Sequence, residues 1–148
     1  MRLVASIQSL SRLEFRDRKL IVEALAELAL CSAAIAWLPF RRVIELGSLP
    51  LSLCRPNAAE AVVIADRARW SVEALAWRVP WKAMCFQKGL ALQRMLRRRG
   101  VDAQLHYGIA KEFESELAAH VWIAAYDRVV VGGEFAADYR EVAVFPGR

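Results

Sequence analysis

From Asp17 to Trp37 the chain reads DRKLIVEALAELALCSAAIAW, with Leu20, Ala24, Leu28 and Cys31 at helical spacing and Glu23 and Glu27 one turn apart on another face. This pattern predicts a long, very apolar helix. Pro39 disturbs its end, and FRRVIELG predicts a short second helix closed by Gly47 as a left-handed cap. The stretch from Ser48 to Pro56 carries two prolines and reads as a loop. Asn57, with Glu60 three residues on, has the form of a capping box, opening a third helix that runs to about Trp77 before Pro80 breaks it. The run WKAMCFQKGLALQRMLRRRG predicts a fourth helix, with Arg97, Arg98 and Arg99 facing the negative end of its dipole and Gly100 as its cap. An anion site is the other reading of the three arginines.

Beyond Gly100 the period falls from three or four to two. VDAQLHYGIA, LAAHVWIAAY and RVVVGG read as strands and EVAVF as a fourth, with Tyr126 and Asp127 as a two-residue hairpin turn. Helices first and antiparallel strands afterwards define an α+β fold. We expect a single domain over residues 1–148: a helical part over 1–78, then over 79–148 a Cys-bearing helix packed on a small antiparallel sheet.

Composition narrows the function classes. An apolar share of 57% over 148 residues is enough for one substantial core with apolar surface left over. That excess leaves two readings of the Asp17–Trp37 helix: full burial, or a docking surface for a protein partner or a membrane. The longest charge-free stretch of the N-terminal half, Leu28 to Phe40, is shorter than the roughly 20 residues a spanning helix requires, so no spanning segment is expected. A net charge of +5 suits an acidic partner or an anionic surface. Nucleic acid is not expected, because basic residues are not interleaved with aromatics and no groove-reading motif is present. Cys31, Cys54 and Cys85 have neither CxxC nor zinc-ligand spacing, so no metal and no cofactor is expected. Without a signal-peptide pattern the expected compartment is a reducing cytoplasm, with membrane association through the apolar helix as one option.

The chemistry-bearing residues stand in the second half. Cys85 lies near the start of the fourth helix, where open backbone N–H groups and the helix dipole favour a thiolate and can later hold an oxyanion. His120 sits in an apolar strand, on one face with Trp122, while Val121 and Ile123 take the other face. A helix-start Cys followed by a strand His is the layout of a nucleophile and its base. Cys31 and Cys54 read as small buried hydrophobes and His106 as a packing or solvated residue. If Ala125 pairs with Arg128 across the turn, counting back places His120 opposite Gly133. Asp127 would then be roughly 20 Å from His120 at about 3.3 Å per residue, too far to orient it. What orients His120 is left to Glu134, to a backbone carbonyl or water, or to nothing, as in a dyad.

The run PWKAMCFQKGLALQRMLRRRGVDAQLHYGIAK, followed by LAAHVWIAAYDRVVVGG, resembles the peptidase part of the lasso-peptide biosynthesis protein B family, which is transglutaminase-like. The matching positions are Cys85, Arg97 to Gly100, Gly108, and Ala119, His120, Val121 and Trp122, and the helical half including LPFRR is similar as well. The resemblance implies a papain-related core and a cysteine protease that removes the leader peptide from a lasso-peptide precursor. It also implies a small leader-binding protein that delivers the precursor, and an ATP-dependent cyclase acting next. Acyl transfer and non-catalytic precursor binding are the alternative activities. The sequence departs from the family at CFQKG and at Gly133, where many members carry the triad Asp; Glu134 is the candidate third catalytic member here.

Overall fold

The computed structural model describes residues 15–111, 117–126 and 128–147. Among these, the helices are α1 (Phe15–Trp37), α2 (Phe40–Gly47), α3 (Ala58–Ala76) and α4 (Cys85–Arg98). The strands β1 (Ala103–Lys111), β2 (Leu117–Ala125), β3 (Arg128–Val131) and β4 (Arg140–Phe145) form one antiparallel sheet in the order β3-β2-β1-β4. A 3-10 turn over Gly133–Asp138 joins β3 to β4. The α+β class read from the change of period is the class observed.

The third helix begins as the capping box requires. Asn57 Oδ1 accepts from the Glu60 N–H at 2.9 Å, and a Glu60 carboxylate oxygen accepts from the Asn57 N–H at 3.0 Å. Helix α4 is the centre of the molecule, since every residue from Gly89 to Arg97 is buried, with α1, α2 and α3 around one side and β1 and β2 against the other. Gly89 makes the sheet contact close: a Cβ there would reach Ile123 and Val121 side chains at 3.6 to 3.9 Å. Each fully buried large side chain of α4, such as Leu90, Leu92 and Leu96, stabilises the fold by roughly 1.5–3 kcal/mol.

A helix buried on all sides must satisfy the polar groups it carries. Gln93 donates from Nε2 to the Phe145 carbonyl at 2.7 Å and the Ala103 carbonyl at 3.3 Å, tying α4 to β1 and β4. Arg94 donates to Glu27 and to the Leu46 carbonyl, both at 2.6 Å. Arg97 donates to Asp102 at 2.8 Å and to the Leu49 carbonyl. Arg98 donates to Glu27 at 2.6 Å and Glu23 at 2.8 Å, while Arg99 also grips Glu23. The arginine run is therefore spent on α1 and the neighbouring loops, which the dipole argument alone did not foresee. Burial by itself raises the Glu23 carboxyl, but hydrogen bonds and charge from Arg99 and Arg98 outweigh it, and the group titrates below the ordinary glutamate range.

Two glycine readings part company. Gly100 does adopt the left-handed conformation, with φ of 75°. Gly47 instead ends α2 as an ordinary helical residue, and its reason is space: a Cβ would fall 2.4 Å from Gln93 Oε1 and 2.5 Å from a Leu90 methyl.

Glu27→Gln should destabilise the protein by about 3 kcal/mol, because it leaves the buried Arg94 guanidinium short of its counter-charge. The exposed Glu45, paired with Arg41 at 3.3 Å, should tolerate the same change within about 0.5 kcal/mol. Urea unfolding of both variants checks the contrast.

Candidate active site

Cys85 is the first residue of α4 and is half-buried beside the core. The first regular helical bond of α4 runs from the Lys88 N–H to the Met84 carbonyl at 3.1 Å, so the Cys85 and Phe86 N–H groups have no acceptor within the helix. Gln87 closes the turn by accepting from the Met84 N–H at 3.1 Å. The other two thiols differ sharply. Cys31 is buried against α3 and α4, and burial, reinforced by the Glu27 charge, pushes its thiol from the usual 9.0 up to about 12. Cys54 is exposed in the loop before α3, not the small buried hydrophobe its sequence context suggested.

His120 faces Gly108 across the β1–β2 ladder. Its Nε2 lies 2.8 Å from the Gly132 carbonyl oxygen. A carbonyl only accepts, so Nε2 carries the proton and Nδ1 keeps the lone pair. The ring is further held by Tyr139 at 5.1 Å and by Trp122 and Phe135 at 6.3 Å between centroids. Gly108 makes this possible, because a Cβ there would lie 2.8 Å from the Trp122 ring and 2.9 Å from Tyr139. The Gly108 in the family-like pattern is thus a floor for the aromatic group around the histidine.

The hairpin starts as counted, with Ala125 paired to Arg128; Asp127 itself lies outside the described residues. The register then slips between Ile123 and Ala124, so that Ile123 pairs with Val131. Gly132, with φ of 79°, turns the chain out of the sheet into the 3-10 turn. Gly133 is consequently not opposite His120, and a Cβ on it would meet Val129 at 2.9 Å. Glu134 is exposed on that turn and makes no hydrogen bond to the imidazole. Of the three orienting groups open from sequence, the structure supplies the backbone carbonyl, from a residue no side-chain pattern could single out. Paired glycines after a strand are the one signal of the bend.

Cys85 and His120 are not brought into contact. Strand alternation turns Val121 and Ile123 toward α4 and His120 with Trp122 to the opposite face, and no hydrogen bond joins the thiol to the ring. On that opposite face a cleft of about 660 Å³ is lined by Gln104, His106, Trp122, Arg128 and Glu141 among others. His106 stacks on Trp122 at 5.6 Å and its Nδ1 lies 2.6 Å from Glu141, while its buried Nε2 has no partner among the described residues. Among the described residues no three His, Cys, Asp or Glu side chains converge as a metal site.

The helical half followed by a small antiparallel sheet agrees with the comparison to known families. The model of the transglutaminase-like superfamily matches residues 24–144, and the chain belongs to that superfamily. The superfamily includes cysteine proteases and acyl transferases. Comparison with curated proteins and with solved structures returns no match.

Three measurements test this geometry. Iodoacetamide at neutral pH should modify Cys54 and Cys85 and spare Cys31 until the protein is unfolded. Because the folded-state pKa of Cys31 is raised, its share of stability is complete below about pH 9 and is lost as pH rises toward 12, where only the unfolded thiol ionises readily. Stability should accordingly fall more steeply above pH 9 in the native protein than in Cys31→Ala. Nitrogen-15 correlation spectra of His120 should show the proton on Nε2 at neutral pH; an Nδ1–H tautomer would contradict the Gly132 bond.

Proposed function

We propose that this protein is a cysteine peptidase that removes the leader peptide from a lasso-peptide precursor, with Cys85 as nucleophile and His120 as base. The observation that carries the reading is the placement of Cys85 at the first position of the central helix, with two backbone N–H groups unused beside it. The thiolate attacks the carbonyl joining leader to core, and the Cys85 and Phe86 N–H groups receive the oxyanion. His120 takes the Cys85 thiol proton at Nδ1 and delivers it to the departing core amine, and water then hydrolyses the leader acyl-enzyme. The Gly132 carbonyl takes the orienting role that a carboxylate fills in a triad.

His120 is turned to the sheet face opposite α4, so this reading requires the docked precursor to draw the imidazole and the Cys85 thiol together. A small leader-binding protein would present the precursor in the cytoplasm, and an ATP-dependent cyclase would take the freed core. The same separation favours a second reading, in which the chain binds precursor without cleaving it. Acyl transfer to an amine differs from the leading reading only in the group that resolves the acyl-enzyme.

The test is single-turnover cleavage of saturating precursor in the presence of the leader-binding protein. Cys85→Ala and His120→Ala should each slow cleavage by at least about a thousandfold, and Glu134→Gln by less than about twofold. Cleavage by Cys85→Ala at the native rate rejects the proposal. Mass spectrometry separates the alternatives, since a leader joined to an amine indicates acyl transfer and intact precursor bound to the native protein indicates a binding module.

A further inference from the structure

We infer that the outer face of α1 is a docking surface for an anionic lipid bilayer, on which the helix lies in the membrane plane. At 3.6 residues per turn, Val22, Leu25, Ala26, Ala29, Ala33, Ala36 and Trp37 share one side of α1, and no charged residue interrupts that side over roughly 22 Å. Among the described residues this side is exposed, apart from the half-buried Ala33. Val22 is 66% exposed, Trp37 is 84% exposed, and Leu25 and Leu30 are exposed as well. Leu38 and Phe40 extend the exposed apolar surface past the helix end.

Charge selects the occupant. All three acids of α1 point away from this side and are neutralised from within: Asp17 by Arg67, Glu23 by Arg98 and Arg99, and Glu27 by Arg94 and Arg98. Cations bracket the apolar side, with Arg16 and Lys19 exposed at one end and Arg41 and Arg42 at the other. Glu45 pairs with both Arg41 and Arg42, leaving that end with one net positive charge. An apolar strip with a terminal tryptophan, cations at both ends and no outward acid matches the boundary between lipid headgroups and acyl chains.

Orientation follows from the inner face. By length and composition α1 could cross a membrane, with a mean hydropathy of 1.8, although its longest charge-free stretch is short. Its inward side, however, buries Leu20, Ala24, Leu28 and Cys31 in the core and holds Glu27 in the ion network of α4. Drawing the helix across a bilayer would strip those charges of their partners. The helix can sink its outer side into the interface and keep its inner side packed.

The experiment is co-sedimentation of the full chain with vesicles of phosphatidylcholine alone and of phosphatidylcholine containing phosphatidylglycerol, read beside sedimentation velocity without lipid. The expected result is binding that requires phosphatidylglycerol and weakens with salt. Val22→Glu with Leu25→Glu should lower partitioning at least tenfold with an unchanged circular dichroism spectrum. Arg41→Gln with Arg42→Gln, which leaves the apolar strip intact and takes that end from one net positive to one net negative charge, should lower it roughly thirtyfold, as the loss of two cations at about 1 kcal/mol each predicts. Partitioning unaffected by both pairs of substitutions overturns the inference. So does a protein that ignores vesicles and instead forms a dimer that Val22→Glu with Leu25→Glu dissociates, which would assign this face to a second copy of the chain.

Discussion

The buried ion network between α1 and the end of α4 is the constraint on which the other elements depend. Helix α4 is enclosed by helices on one side and by the sheet on the other, yet its last two turns carry Arg94, Arg97 and Arg98, and Arg99 caps its end. Charges of one sign cannot be gathered there unless opposite charges are delivered to them, and α1 delivers Glu23 and Glu27. That requirement sets how α1 is turned about its axis. With Glu27 inward and Leu20, Ala24 and Leu28 beside it, the remaining apolar residues have no choice but to face outward.

The same logic explains which parts of the fold were legible in the sequence. Local signals survived intact: the change of period after Gly100, the Asn57 and Glu60 box, and the hairpin opening from Ala125 and Arg128 all depend on neighbours a few residues apart. What was not legible came from contacts between distant elements. Gly47 reads as a helix stop, but its bareness answers Gln93 and Leu90, some forty residues later along the chain. The arginine run reads as a dipole complement, and only the third dimension shows its partners on α1.

The candidate site divides along the same line. Cys85 is identifiable because helix-start chemistry is local, and His120 because a polar residue in an apolar strand stands out. The group that orients His120 was hidden by a one-residue slip at Ile123 and Ala124, which no propensity marks. A backbone carbonyl leaves no side-chain signature. The chain has already left the sheet at Gly132, so neither position 133 nor position 134 pairs with His120 across the ladder.

The Gln93 amide has a consequence for how this chain can change over generations. One side chain meets α2 at Gly47, β1 at Ala103 and β4 at Phe145. A larger residue at 47 is tolerable only if 93 shrinks, and a shorter residue at 93 abandons two carbonyls at opposite ends of the sequence's second half. Positions 47 and 93 should therefore drift as a pair or not at all, so that a substitution at either, neutral in appearance, closes off routes that its partner would otherwise leave open.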